Sequence, residues 1–585
     1  MTLRYRHAAA CIAAAAIAVA SLLLGARPAL AHAIVQSTQP RIDEVVDAPP
    51  ERVVMRFNEP VEITFGSIRV FDTNGDRVDT GEADHLPGEP DTIAVPLEPD
   101  LVIGTYTVTW RVVSADGHAI AEAFVFHVGE PGENPEGIAS QILRGEQRAE
   151  RFTAIIFAVA RWVTFAALLV FCGALAFVVL IWRRASADAA VRRAFARRWG
   201  AAALVAWAVA LVGSLAGIVL QGAVAAQVSI AEAFAPTVVG EVVGTRFGTM
   251  ALARVLFLSL LLGVWFTWKR ALAPGDEWSA SPPAWLVVAT AALGLAALAT
   301  PGLAGHAGTS SPAVAGVAAD TAHMAAAATW FGGLVLLLVG VFPATRRLAE
   351  RERVRVLAPM IGRFSDVALV AVAIIIVTGV YRSWQEVGGL AALRGSTYGS
   401  ILLIKLGVFL PALVLGAINN RWTKPRLRRA AAGDEASAPL AALRRLLGAE
   451  VGLILVVLAL TAFLVNLPPA KVATTTSGPF VADVRLGDHN LDVLVDPNEV
   501  GENEVHLTVT TPAGAPVHVK DMRVLFRMPE QQIGPLVGKG TELAHGHFVV
   551  QGRQLSVPGE WQLEIVARMG RFEEERATVR VQVNR

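Results

Sequence analysis

Polar and apolar residues alternate along the first part of this chain with the period of a β-strand. Four such runs are clear, at residues 52–57, 67–71, 106–113 and 123–128. Turn residues such as Asn74-Gly75 separate them, and alternation bounded by turns predicts strands with one buried face. Residues 32–130 are therefore predicted to form a small all-β sandwich or barrel, followed by a linker over 131–151.

The middle of the chain, residues 152–467, contains apolar segments long enough to cross a bilayer as α-helices. We predict eight of them, near residues 154–182, 200–220, 247–267, 284–302, 318–341, 366–381, 400–418 and 449–467. Residues 223–246 are less apolar and contain Glu232 and Glu241. We predict an external loop or an interfacial helix for that segment.

Alternation with period two returns in the last part of the chain. It is visible at residues 484–495, 504–510, 523–527 and 561–566. These runs predict a second all-β sandwich over residues 475–585. The expected fold is multidomain: a β-sandwich, a membrane bundle of eight helices and a C-terminal β-sandwich.

Composition and the N-terminal segment indicate the cellular location of the protein. The chain has 585 residues, of which 54% are hydrophobic, and a formal net charge of +1. The apolar share predicts a lipid bilayer as partner, and the balanced charge predicts no nucleic-acid partner. Residues 1–31 resemble a signal peptide, because Arg4 and Arg6 precede an apolar run that ends in the small-x-small pattern Ala29-Leu30-Ala31. Cleavage there would export the first domain with His32 as its N-terminus.

Basic residues then orient the helices. Arginines cluster after the first, fifth and seventh predicted helices, and Lys269 and Arg270 follow the third. Loops that remain in the cytoplasm carry such an excess of basic residues. The protein is thus predicted to lie in the cytoplasmic (inner) membrane as a multi-pass protein, with both β-domains on the external or periplasmic face.

Three residues of the first domain form a candidate metal site. An N-terminal His32 offers its amine and its ring to one ion, while Asp116 and His118 add a carboxylate and a second imidazole. Three nitrogens and one oxygen in tetragonal geometry suit Cu(II). Taken alone, Asp116-Gly117-His118 is also typical of an Asx-type turn that carries a surface histidine.

The first domain resembles the CopC copper-binding family. The resemblance rests on His32 at the cleavage site, on residues 57–61, 104–114 and 124–128, and on Asp116-Gly117-His118. It implies a β-sandwich that binds Cu(II) through His32, Asp116 and His118. It also implicates Glu59, which occupies the position of an acidic residue that approaches the metal in some members. The methionine-rich loop with which some members bind Cu(I) is absent from this sequence.

Ionisable residues also occur within the predicted membrane helices. His306 ends the fourth helix, Asp320 and His323 share a face of the fifth, and Lys405 and Glu450 lie in the seventh and eighth. Such residues usually face a pathway, a ligand or a partner. His306, Asp320 and His323 are thus a candidate copper entrance, and a polar cluster that merely ties helices together is the alternative. Lys405 and Glu450 are expected to pair across the bundle or to shuttle protons.

Two further resemblances concern the rest of the chain. Residues 152–467 resemble the CopD membrane domain, through Asp320 and His323 and through short motifs such as Trp330-x-Gly332-Gly333 and Asn420-Arg421. This resemblance implies passage of copper across the cytoplasmic membrane. Residues 475–585 resemble YtkA-like β-sandwich modules. Within them, His545-Gly546-His547 is either a second metal site or an exposed turn.

Together these observations predict a non-enzymatic protein that captures external Cu(II) and passes it through the membrane, for copper uptake or for copper homeostasis and resistance. Copper ions and external copper-donor proteins are its expected partners. The sequence has no Gly-x4-Gly-Lys-Ser/Thr motif, so gradients or trapping of copper inside would drive transport. One alternative is a membrane-bound copper or haem oxidoreductase. Another is a copper sensor or sequestering protein whose helices serve as an anchor.

Overall fold

The chain folds into two β-domains and a bundle of long helices in the computed structural model. The structure describes most of the sequence, namely residues 33, 35–42, 44–63, 68–114, 119–129, 138–182, 188–226, 228–272, 284–309, 312–433, 440–467, 469–471, 480–496, 498, 500–512, 515–570 and 573–583. The helices form one compact unit, and the two β-domains together form a second.

The N-terminal domain is the predicted sandwich. Its described strands are β1 Val35–Gln39, β2 Val45–Val46, β3 Arg52–Phe57, β4 Val61–Glu62, β5 Ile68–Phe71, β6 Asp84–Leu86, β7 Glu89–Pro96, β8 Gly104–Ser114 and β9 Ala119–Val128. One sheet has the order β1-β3-β7-β6, and the other has the order β2-β9-β8-β4 with β5 also paired to β8. The alternating residues of β3 and β8, among them Met55, Phe57 and Val108, are fully buried in the core between the sheets.

Eight helices in the described part of the chain are long and apolar enough to cross a membrane, which confirms the predicted number. They are α1 Ile138–Leu180, α2 Ala189–Ala225, α3 Arg246–Ala271, α4 Ala284–Ala304, α5 Ala313–Ala344, α6 Glu350–Val387, α7 Thr397–Ala432 and α8 Leu440–Leu464. Most of these helices extend beyond their apolar segments and have polar residues in their terminal turns. The helix Pro236–Gly244 occupies the segment between α2 and α3 for which a loop or an interfacial helix was predicted. The predicted linker 131–151 is helical from Ile138 onward, where it forms the start of α1.

Helix α5 is packed closely and is irregular. It contains two π-helical turns, Ala328–Gly332 and Leu337–Val341. The first of them lies against α1, where a Cβ atom on Gly332 would stand 2.7 Å from the Cα atom of Gly173. Small residues allow membrane helices to approach in this way, because lipid provides no hydrophobic drive for their association.

The C-terminal domain also consists of two sheets. Its strands are β10 Phe480–Leu486, β11 His489–Asp496, β12 Asn503–Thr510, β13 Asp521–Met528, β14 Ile533–Lys539, β15 Thr541–Ala544, β16 His547–Gly552, β17 Gly559–Arg568 and β18 Glu574–Val583. The sheets have the orders β10-β11-β12-β16-β15 and β14-β13-β17-β18. The run 484–495 is not one strand, because the chain reverses at Gly487, whose φ of 59° lies in the left-handed region that favours glycine.

The two β-domains contact each other. The Arg41 guanidinium of the N-terminal domain lies 3.1 Å from the Glu504 carboxylate of the C-terminal domain. The rings of His127 and His547 are 6.3 Å apart between centroids, and both side chains are buried. The two domains that flank the membrane segment in the sequence are therefore neighbours in space.

Candidate metal centres

The structure describes the residues that neighbour the N-terminal candidate site. His32, Asp116 and His118 lie outside the described residues, but the residues next to them are described. Ala33, which follows His32, is buried in the sandwich core. The strand β1 runs antiparallel to β3 with Val35 opposite Phe57, so the start of β1 lies beside the segment that carries Glu59.

The other flank of the candidate site reaches the same end of the sandwich. Strand β8 ends at Ser114, which lies opposite Val61 of β4, and β8 and β9 remain paired as far as Val113 and Ala119. The Ser114 hydroxyl donates a 2.7 Å hydrogen bond to the buried carboxylate of Glu59. The residues that adjoin both predicted ligand segments thus lie at the same end of the sandwich as the buried side chain of Glu59, which Ser114 contacts directly.

In the membrane bundle, α4 and α6 leave room for the polar residues of α5. A Cβ atom on Gly302 of α4 would lie 3.0 Å from the Cβ of Asp320. A Cβ atom on Gly379 of α6 would lie 3.5 Å from Cε1 of His323. Glycine at these two positions therefore lets both side chains sit between helices rather than against lipid.

His323 is oriented by a hydrogen bond to α6. Its Nδ1 lies 2.9 Å from the Thr378 hydroxyl oxygen, and that hydroxyl donates to the Ile374 carbonyl at 2.6 Å. Because the hydroxyl proton is already used, the threonine oxygen accepts from His323 Nδ1–H. In this tautomer Nε2 carries the lone pair that a metal ion requires.

Asp320 belongs to an ionic network that the sequence did not predict. Its carboxylate lies 3.0 Å from Arg382, and Arg382 also lies 2.6 Å from Glu386. Gln385 accepts from Arg382 at 2.6 Å and donates to the Tyr381 hydroxyl at 2.9 Å. The predicted sixth helix ended at residue 381, so Arg382 and Glu386 were not placed on it. The sequence signal for this network was an arginine and a glutamate directly after an apolar run.

The remaining membrane candidates divide into two groups. His306 and Lys405 both interact electrostatically with Asp320, and Lys405 also interacts with His323. Glu450 is buried elsewhere and accepts a hydrogen bond from Asn419 of α7. No ion pair joins Lys405 to Glu450 among the described residues, so the expected pairing across the bundle is not formed.

One basic residue next to this network lies beyond the last membrane helix. Lys471 follows α8 and is buried close to the Arg382–Glu386 pair. Burial lowers the pKa of its amine, and the Glu386 carboxylate opposes that shift. Charges therefore concentrate at the end of the bundle where α4, α6 and α8 finish and α5 and α7 begin.

The two histidines of the C-terminal motif separate. His547 points into the domain, where it is fully buried and its Nε2 lies 3.3 Å from Nδ1 of His506. The Thr508 hydroxyl lies 2.9 Å from its Nδ1. His545 is exposed and lies beside His518 and Glu542. The motif is therefore not a two-histidine site, since its members face different environments.

Known protein families match most of the chain. The family model of the CopC domain matches residues 35–129, that of the copper resistance protein D-like N-terminal domain matches 152–317, and that of copper resistance protein D matches 358–464. Copper transport protein CutJ of Bacillus subtilis (strain 168) is 27% identical over 562 residues, which cover 94% of this chain and 95% of CutJ. Copper resistance protein C of Escherichia coli is 33% identical over 125 residues, which cover 19% of this chain and 94% of that protein. The crystal structure of CopC from Methylosinus trichosporium OB3b is 32% identical, with a TM-score of 0.16, and covers 18% of this chain and 98% of that one.

The helices and these family matches define a class of protein, namely multi-pass membrane proteins that also contain a CopC domain. Through its N-terminal domain the chain belongs to the CopC family, and it joins that domain to segments that match the copper resistance protein D families in a single polypeptide. The resemblances found in the sequence to CopC and CopD are thereby confirmed.

Proposed function

We propose that this protein captures Cu(II) outside the cytoplasmic membrane and passes copper through its helical bundle into the cell. The convergence of Ala33, Ser114 and Glu59 at one end of the sandwich carries this proposal. These residues adjoin the three predicted ligands, His32, Asp116 and His118. The family relationship supplies copper as the cargo.

The first step is capture by a nitrogen-rich site. The free amine and ring of His32, the ring of His118 and the carboxylate of Asp116 would surround the ion. Such a set favours Cu(II) over hard cations, which prefer oxygen ligands alone. Glu59 adds a buried negative charge beside the site, which favours a cation there.

The second step is entry into the bundle. His306, Asp320 and His323 would receive the ion at the end of α4 and the start of α5, with Nε2 of His323 as a ligand. Asp320 is already paired with Arg382, so a passing cation would compete with that arginine for the carboxylate. Lys405 would limit the lifetime of the ion there, because like charges repel.

The orientation of the bundle supports uptake from outside. Basic residues concentrate at the ends of α1, α3, α5 and α7, which the positive-inside rule assigns to the cytoplasm. The polar entrance lies at the opposite end. The two β-domains contact each other, so both must lie on the same side of the membrane. Eight crossings, an even number, are consistent with this.

Electron paramagnetic resonance of the N-terminal domain tests the capture step. The relative from Escherichia coli consists almost wholly of this domain, so residues 32–129 are suitable as an isolated protein. A domain that begins at His32 is compared with one that retains a single extra residue before it. The proposal predicts a tetragonal, nitrogen-rich Cu(II) signal that the extra residue abolishes or greatly weakens. Equal binding by both forms would remove the amine from the site and refute this mode of capture.

A further inference from the structure

A second group of metal-binding side chains lies in the C-terminal domain, apart from both sites discussed above. His518, Glu542 and His545 each offer a ligand atom, and these atoms all lie within 4.8 Å of one another. All three side chains are exposed. The rings of His518 and His545 are stacked, with centroids 5.4 Å apart and planes 15° from parallel. An ion from solution can therefore reach all three ligands.

Backbone hydrogen bonds fix the two histidines relative to each other. His545 is followed by Gly546, whose φ of 78° makes the turn between β15 and β16. The Gly546 carbonyl accepts from Val509 N–H at 2.9 Å, and the Val509 carbonyl accepts from Val517 N–H at 3.0 Å. The segments that carry His545 and His518 are thus bonded to the same residue of β12. Such preorganisation lowers the conformational cost of binding an ion.

The position of Glu542 completes the set. It lies on β15, three residues before His545, and that strand pairs with β16. Two imidazoles and one carboxylate are typical ligands of borderline transition metals, whereas Mg²⁺ and Ca²⁺ prefer oxygen ligands. Three protein ligands also leave coordination positions open to water.

We propose that His518, Glu542 and His545 form a surface site that binds one Cu(II) ion. Cu(II) binds nitrogen and oxygen ligands more tightly than the other divalent ions of its row, and two nitrogens, one oxygen and water satisfy its tetragonal preference. The site is independent of the proposed N-terminal capture site, with which it shares no ligand. Its exposure makes it an exchangeable store of the ion on the C-terminal domain.

Cu(II) binding to the full chain in detergent tests this site. The experiment uses a His118→Ala background, which removes one ligand of the proposed N-terminal site. Competition with a chelator of known affinity gives the number and strength of bound ions, and electron paramagnetic resonance gives their nitrogen ligands. We expect a Cu(II) ion with two imidazole ligands. His545→Ala or His518→Ala should weaken its binding about 10-fold or more, since even loss of an outer-shell partner has that effect.

The control is His489→Ala. His489 is a histidine of the same domain that lies 3.1 Å from a single carboxylate, Glu575, and its replacement should leave Cu(II) binding unchanged. Thermal unfolding of each variant separates loss of a ligand from loss of the fold. Unchanged binding in His545→Ala and His518→Ala, or tight binding of Zn(II) with none of Cu(II), would overturn the proposal. One result would separate the two proposals. If His118→Ala binds as many Cu(II) ions as the wild type and His545→Ala binds one fewer, the N-terminal capture site is refuted and the C-terminal site is supported.

Discussion

At the residue scale, the hydrogen bond from Ser114 to Glu59 offers a direct test of how the capture end of the sandwich is built. Ser114→Ala removes the hydroxyl donor from a buried carboxylate, and such a loss costs about 1–3 kcal/mol. We therefore expect the free energy of unfolding of the N-terminal domain to fall by about that amount, as measured by urea denaturation. Thr80→Ala is the matched control, because Thr80 is exposed and such surface changes usually stay within about 0.5 kcal/mol. Equal stability of the two variants would contradict a structural role for this bond.

Arg382 gives a second residue-scale prediction, within the membrane bundle. Arg382→Gln leaves Asp320 and Glu386 without their shared cation, and breaking a buried ion pair from one side costs about 3–5 kcal/mol. We expect a clear drop in the thermal unfolding temperature of the detergent-purified protein. Adding Asp320→Asn to Arg382→Gln should restore part of the loss, because it removes one uncompensated charge. Arg394→Gln, at an exposed arginine, should change little, and a similar drop in that control would remove the argument for the network.

The residues of the candidate sites show what a sequence can and cannot reveal. The pair Asp320 and His323 was predictable, since spacing along a helix fixes a shared face. The partnership of His545 with His518 was not, because 26 intervening residues and the turn at Gly546 decide which histidine faces outward. The hydrogen bond between Glu450 and Asn419 was not predictable either. Asn419 and Lys405 both lie on α7, and only the packing of α7 against α8 decides which of them reaches Glu450.

At the scale of elements, the crossing of α1 and α5 leaves no room for a side chain between the two helices at Gly332 and Gly173. Gly332→Val would place a branched side chain against Gly173, where even a Cβ atom has no room. We expect this variant to yield little monodisperse protein in size-exclusion chromatography. Gly452→Val is the control, because nothing lies within 4 Å of a Cβ atom at that position. Comparable yields of both variants would show that the crossing tolerates separation.

Elements were predicted best where the hydrophobic period was long and uniform. All eight membrane helices follow from apolar length alone, because a bilayer requires it. Their ends did not follow, and the sixth helix continues to Val387 through polar residues that pair with other helices. In the run 484–495 the alternation of polar and apolar residues continues without interruption across Gly487. The reversal of the chain direction there is visible only in the left-handed backbone conformation of that glycine.

At the scale of the whole molecule, the proposed orientation predicts which surfaces an outside reagent can reach. Glu530→Cys in the C-terminal domain should react with a membrane-impermeant maleimide in intact cells or spheroplasts. Arg347→Cys, in the basic segment after α5, should react only after the membrane is permeabilised. Cys172 is buried and gives a low background. Labelling of Arg347→Cys in sealed cells, with Glu530→Cys protected, would reverse the orientation.

The measurement that tests the central claim most directly is copper flux into proteoliposomes that contain the full chain. Wild-type protein is compared with His323→Ala, with protein-free vesicles and with the control His85→Ala. The control replaces a half-buried histidine on β6 of the N-terminal domain, outside the helical bundle. We predict that wild-type and His85→Ala proteins move copper into the vesicles at the same rate. His323→Ala should be slower by about 10-fold or more, because it lacks a proposed ligand at the entrance. Flux no greater than that of protein-free vesicles, or equal flux through His323→Ala and wild type, would contradict copper passage through this bundle.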